Sequence, residues 1–447
     1  MSVSLRRSLS LATLALGLTL TGTAAAVPEI QTWETASGAK VLFVEAPDLP
    51  MLDLRVVFDA GSARDAGHPG LAAMTANMLT QGAGDWDADA IAERMEAVGA
   101  SLQASALRDM AFVASRSLTR EPALETALAT LTKVLAEPRF AGPDLERLRQ
   151  NTLTGLRQEE QDPGTVAQKA LYRAIYGDHP YAEAPNGTPE GVSALTRDDL
   201  VAFHHRYYVA SNAVVAMVGA ITRAQAEAIA NRVTAGLPTG ERAAAPPEVP
   251  ALAAVKDERI DFTSSQTHVL IGQPGMRRGD PDYFPLYVGN HILGGSGLVS
   301  LLMDEVREKR GLSYSVYSYF LPMRADGPFL MGLQTKNDQA DQARDVLLTT
   351  LRGFIQAGPT ESQLTAAKKN ITGGFPLRIA GNAKVVEYLA MIGFYGLPLD
   401  YLDRFTHRVE AVTAEQIRDA FARRLHPDRL AVVNVGPQPG TVAKQGD

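Results

Sequence analysis

Residues 195–219 read LTRDDLVAFHHRYYVASNAVVAMVG, and residues 412–436 read VTAEQIRDAFARRLHPDRLAVVNVG. Each is a stretch of helical periodicity followed by a short, nearly unbroken apolar run that ends on glycine, the pattern of a helix leading into a buried strand. A constant shift of 217 aligns Thr196 with Thr413, Val215 with Val432 and Gly219 with Gly436. Two such units in one chain raise the question of a repeat.

The segments upstream answer it. In the first half, residues 52–59 alternate, with Leu52, Leu54, Val56 and Phe58 on one face of a strand. The loop GSARDAGHPG leads into a helix over about 69–81, and Asp87 caps a second helix that stops at Gly99. Strands SLQASAL and MAFVASRS follow, then helices over about 121–136 and 144–161. The second half repeats the order. Strand THVLIGQ leads to a helix ending near Leu293, and a second helix runs from Leu298 to Arg310 and stops at Gly311. Strands SYSVYSYF and GPFLMGLQT come next, followed by long helices. A shift of 212 aligns Gly82 with Gly294 and Gly99 with Gly311. Several matches in one order define an internal duplication. The expected fold is α+β, with two homologous domains, each an antiparallel-rich sheet covered by helices, in a clamshell arrangement.

The expected boundaries are residues 1–26 as a leader, 27–240 and 259–440 as the two domains, 241–258 as an extended Ala/Pro-rich linker, and 441–447 as a tail. In the leader, Arg6 and Arg7 precede an apolar run too short for a bilayer and the small residues Ala24-Ala25-Ala26, as in a secretory signal. With it gone the formal charge moves from −7 to −9, because it holds two Arg and no acid. That balance argues against a nucleic-acid partner. No later apolar stretch is long enough to anchor the mature chain in a membrane. The chain has no cysteine, which excludes disulfides and cysteine metal sites. The expected location is periplasmic or secreted.

Three segments carry a family resemblance: GSARDAGHPGLA (61–72), YGDHPYAEAPNGTPEGVSALTRDDLVAFHHRYY (176–208) and LGGSGLVSLLMDEVREKRGLSYSVYS (293–318). Together with the duplicated plan they resemble the pitrilysin, insulinase and mitochondrial-processing-peptidase class of zinc peptidases over nearly the whole mature chain. The resemblance implies H-x-x-E-H on the helix that opens with Gly70-Leu71-Ala72. Positions i, i+3 and i+4 share a helical face, so two imidazoles can hold zinc while the carboxylate activates water. Here those slots hold Ala73, Ala76 and Asn77. The third ligand of the family falls near Thr154 or Gly155, and Glu159 and Glu160 sit about one turn late. None of the eight histidines lies in an H-x-x-E-H or H-E-x-x-H setting. Adjacent His204 and His205 diverge on a helix and read as surface or interface residues. The helix itself reads as core through Leu71, Met74, Met78 and Leu79.

The resemblance also implies an Arg and a Tyr seven residues apart in the second half. VREKRGLSY supplies Arg307 at a helix end and Tyr314 at the start of the next strand, with Gly311 turning between them. A phenol can donate to a tetrahedral oxyanion, and a guanidinium can hold substrate carbonyls. The same residues also suit a helix C-terminus and ordinary strand packing. Peptides of the family add as a β-strand, which points to Leu102, Gln103 and Ala104 in the strand to 106, to Ser315 and Val316 in the strand 314–317, and to Gly294 and Gly295 in a loop at the chamber rim. Any one of these could equally be sheet packing. Gly294-Gly295-Ser296-Gly297 is no phosphate loop, since no Gly-Lys-Ser/Thr follows. The expectation is a non-zinc subunit of a two-chain zinc metallopeptidase, with no cofactor of its own, zinc and H-x-x-E-H in a homologous partner, and unfolded peptides as substrate. The alternatives are a catalytically inactive scaffold and a homodimeric peptide-binding chamber.

Overall fold

The computed structural model describes residues 29–437, so the expected leader and tail lie outside the described residues. The first half opens with strands β1 (Gln31–Glu34), β2 (Lys40–Glu45) and β3 (Met51–Phe58), then helix α1 (Leu71–Met78). A small hairpin, β4 (Gly82–Ala83) and β5 (Trp86–Asp87), leads to α2 (Ala88–Glu96), β6 (Ser101–Ala106) and β7 (Ala111–Leu118). Helices α3 (Ala123–Ala136), α4 (Gly142–Glu159), α5 (Pro163–Tyr176), α6 (Pro189–Ala194) and α7 (Arg197–Tyr207) precede β8 (Ala213–Gly219) and α8 (Arg223–Ala235). The second half runs β9 (Lys256–Asp261), β10 (Gln266–Met276), α9 (Tyr283–Asn290), α10 (Leu301–Met303), β11 (Val316–Phe320) and β12 (Gly327–Lys336). It closes with α11 (Ala340–Ala357), α12 (Glu361–Arg378), α13 (Asn382–Tyr395), α14 (Tyr401–Ala411), α15 (Ala414–Arg424) and β13 (Ala431–Gly436).

Each half builds one open sheet, ordered β1-β2-β8-β3-β7-β6 and β11-β12-β10-β13-β9. Every pairing is antiparallel except β2 with β8 and β13 with β9. The duplication is visible in the elements themselves, since α1 and α9 stand 212 residues apart. Both repeat units begin with a capping box, Thr196 with Asp199 and Thr413 with Gln416.

The halves exchange helices. On the first sheet, Leu54, Val56 and Phe58 bury one face against its own helices, including Leu71, Leu131 and Leu200. The opposite face presents Leu42, Val44, Val57 and Val214 to a core shared with Leu389 and Ile392 of α13, from the second half. In return α5, from the first half, packs Leu171 and Ile175 on Leu270, Leu330 and Val433 of the second sheet. Glycine makes both approaches close. A Cβ on Gly393 would meet Val214 Cγ1 at 2.5 Å, and one on Gly272 would meet Ile175 Cδ1 at 2.8 Å.

A buried polar knot ties the halves to the linker. Asp59 takes Arg64 Nε and Nη2 at 2.7 and 2.9 Å and Arg324 Nη1 at 2.7 Å. Asp109 accepts from Tyr181, from Tyr395 at 2.9 Å and from the Arg324 amide at 2.7 Å. Burial and the neighbouring Asp109 push both phenols upward, so they stay protonated and donate. Arg64 also donates to Ala244 O at 2.6 Å, and His179 Nε2 lies 3.0 Å from Pro247 O.

Several sequence expectations are corrected. The linker ends earlier than expected: residues 241–255 hold no helix or strand, but 256–258 already belong to β9. Helix α5 was not expected from the sequence. The helix expected from Leu298 to Arg310 is broken: Gly297, at φ 63°, opens a 3-10 turn at Gly297–Val299, Ser300 caps α10, and a π-helical turn spans Asp304–Glu308. His204 is 2% exposed, not a surface residue; its Nε2 lies 3.0 Å from Leu135 O and its ring stacks on Tyr208.

Candidate functional site

Helix α1 is set by the loop before it. Gly70 adopts φ 97°, and the buried Asp65 accepts from the amides of Gly70 and Ala72, both at 2.8 Å. Burial pushes the Asp65 carboxyl up to about 7 against the pull of those two donors. The arrangement presents Ala73 and Asn77 to a cavity of about 180 Å³, whose other lining includes Thr152, Gly155, Glu159 and Asn186. Ala76, on the same face, is buried.

The cavity lies beside two of the slots that the resemblance implies for zinc ligation, Ala73 and Asn77, but those residues do not supply the donors. Two of the three α1 positions are methyl groups without a lone pair, and Asn77 offers one neutral amide oxygen. Glu159 does reach the cavity despite its late position, yet its oxygens are engaged by Lys169 Nζ at 2.7 Å and Asn186 Nδ2 at 3.1 Å. Among the described residues no group of three or more His, Cys, Asp or Glu side chains could hold a metal ion. The residues here do not fit zinc, which needs at least three N, S or O ligands.

The second half brings Arg307 and Tyr314 together. The π-helical turn points Arg307 across Gly311 (φ 61°), and its guanidinium carbon lies 4.5 Å from the Tyr314 ring centroid. The bases beside it are committed elsewhere: Lys309 and Arg310 each reach Glu305 at 2.6 Å. Arg307 has only a 3.6 Å contact with Glu308. Tyr314 does not begin the strand as expected, since β11 starts at Val316. The Ser313 hydroxyl, 2.7 Å from both Ser315 O and Gln334 O, pins a bend that throws Tyr314 outward, leaving it 81% exposed.

The expected strand residues divide. Gln103 is exposed on edge strand β6, while Leu102 and Ala104 pack against the first core. Ser315 precedes β11 and is exposed, whereas Val316 is buried in the shared core. Gly294 is not in an open loop: it lies buried in a π-helical turn, His291–Gly295, where a Cβ would stand 2.4 Å from Ser318 Oγ. Gly295 is exposed beside it. Sequence reasoning missed the Glu159–Lys169 pair and Arg278, described below; a lone basic residue on α5 or in RRGDPDY carries no signal of where it will fold.

Comparison with known proteins agrees with this architecture. Residues 40–188 match the family described as insulinase (peptidase family M16), and residues 194–371 match the peptidase M16 inactive domain. A crystal structure of a peptidase M16 inactive domain from Pseudomonas fluorescens is 41% identical, covers 93% of this chain and 100% of its own, and superposes with a TM-score of 0.89. A protease from Helicobacter pylori has the same fold, with a TM-score of 0.85 at 17% identity over 92% of this chain and 100% of its own. An uncharacterized zinc protease of Mycobacterium leprae is 28% identical over 410 residues, 90% of each chain. A protein named non-peptidase homolog YmxG, from Helicobacter pylori, is 27% identical over 385 residues, 85% of this chain and 87% of that one. This chain belongs to the M16 (insulinase) peptidase family, with residues 194–371 of the type described as an inactive domain.

Proposed function

We propose that this chain is the non-zinc subunit of a two-chain zinc metallopeptidase that acts on unfolded peptides after export. The carrying observation is the contrast between its halves. Helix α1 turns one methyl and one amide, Ala73 and Asn77, toward the cavity and buries Ala76, while Arg307 stands as the uncommitted base of its turn against an exposed Tyr314 ring. Zinc and the water it activates would come from a homologous partner carrying H-x-x-E-H. Arg307 contributes a fork of donors for peptide carbonyls. Tyr314 contributes an O–H that donates to the oxyanion as the scissile carbonyl becomes tetrahedral. Its exposure supports this role, because a partner surface would have to cover it.

The test is cleavage of a quenched fluorescent unstructured peptide in the presence of zinc. This chain, an H-x-x-E-H partner captured from the native source, and the mixture are compared. Activity in the mixture alone is the expected result. A partner that is equally active by itself would reduce this chain to a scaffold.

A further inference from the structure

A second cavity opens in the C-terminal half. Between α9 and the end of β11 lies an open cavity of about 290 Å³, lined by Arg278, Tyr283, Tyr287, Tyr319, Phe320 and Leu321. Tyr283 and Tyr287 stack at 5.8 Å with their planes 5° apart. The Arg278 guanidinium carbon lies 5.9 Å from the Tyr283 ring and 5.4 Å from the Tyr395 ring. Its Nε is buried and has no hydrogen-bond partner. The neighbouring arginines are treated differently: Arg423 and Arg424 are clamped by Asp280 and Asp282 at 2.7–2.9 Å. A cation among aromatic faces without a carboxylate is incomplete, since a buried unpaired donor is costly.

The duplication shows that the opening is not a requirement of the fold. The 212-residue offset places Leu71, Thr75 and Met78 of α1 where α9 carries Tyr283, Tyr287 and Asn290. Those three residues of α1 are buried and their face is packed shut. Their counterparts on α9 are only half-buried and line the cavity. Asn290 is further held in place by Ser318, donating to its carbonyl at 3.0 Å and accepting from its hydroxyl at 2.7 Å.

We infer that this cavity binds a carboxylate carried on, or next to, an apolar or aromatic residue of an extended peptide. Arg278 would supply the charge-assisted bonds and the tyrosine faces the apolar contact. Peptide is the ligand class because the chain belongs to a peptidase family and because the cavity opens at the end of an edge strand. The carboxylate has two sources, a chain terminus or an acidic side chain. The inference is independent of Arg307, Tyr314 and any partner, since it concerns binding by this chain alone.

The experiment is fluorescence anisotropy of labelled Gly/Ser peptides of about ten residues with the full chain. One peptide ends in Phe with a free carboxylate, one is its C-terminal amide, and one is amidated but carries an internal Glu-Phe, with Gln-Phe as its control. At least one acidic peptide should bind tenfold or more tighter than its neutral control; which one it is identifies the source. Arg278→Met should abolish that discrimination. Equal binding of acidic and neutral peptides, or discrimination that survives in a folded Arg278→Met chain, overturns the inference. Should Arg278→Met not fold, Leu321→Trp at the rim narrows the same cavity and should weaken binding of the preferred peptide; unchanged affinity there is equally fatal.

Discussion

Asp59 is 3% exposed and has two guanidinium partners, Arg64 from its own half and Arg324 from the other. Either cation alone still neutralises it, so the two should act as substitutes. Arg64→Met or Arg324→Met removes charge-assisted bonds worth about 2 kcal/mol. The second replacement is different in kind, because it leaves a buried carboxylate with no cation and costs about 3–5 kcal/mol. The double variant should therefore lose about 5–7 kcal/mol, exceeding the sum of the singles by about 1–3 kcal/mol. Bonds made by only one arginine, such as Arg324 to Phe394 O or Arg64 to Ala244 O, cancel in the cycle. Urea unfolding followed by circular dichroism reads this out, and the exchanged helices should make both halves unfold in one transition. Asp59→Asn in the double background should restore much of the loss, since it removes the stranded charge. Additive singles, within about 0.5 kcal/mol, would refute the shared-neutralisation argument.

Other outcomes follow from the same coordinates. In the assembled pair, Tyr314→Phe should lower kcat about 10²–10³-fold while assembly, read by size-exclusion chromatography, is normal; unchanged turnover favours the scaffold reading. Burial pulls the His204 imidazole down to about 4. The unfolded chain then takes up the proton first, so the stability this site provides is whole above pH 6.5 and is lost as pH falls toward 4, by up to about 3 kcal/mol. His204→Gln keeps a donor for Leu135 O and should flatten that slope; an unchanged slope assigns it to other groups. Asp65 has the opposite sign. Its raised carboxyl provides stability that is whole below about pH 4 and is lost as pH rises through about 7, so the two sites offset each other between pH 4 and 6.5. Asp65→Ala should uncap α1 at a cost of about 1–2 kcal/mol in urea titrations near pH 5; no loss would show the cap to be idle.

What the sequence disclosed was whatever is local. Alternation in residues 52–58, the stops at Gly99 and Gly311, and the 212 and 217 offsets follow from backbone preferences that act over a few residues. The α1 face was equally legible, since Ala73, Ala76 and Asn77 share a side by helical geometry alone. Partner choice was not. Periodicity says that α5 and α13 bury a face, but not that each buries it on the sheet of the opposite half. The same limit hid Lys169 against Glu159, put His204 at the surface, and began a strand at Tyr314, where one Ser313 hydroxyl makes a bend.

The helix exchange also governs how the chain comes into being. When β8 leaves the ribosome the first sheet is complete in sequence, but Leu42, Val44, Val57 and Val214 have nothing to cover them until α13 follows. Synthesis of the intervening chain to Tyr395 takes roughly 10–35 s. During that time an apolar sheet face is open to chaperones and to other nascent chains. A chain cut at the linker would hold that face open permanently, so the duplicated halves, alike as they are in plan, are not separable domains but one obligate folding unit.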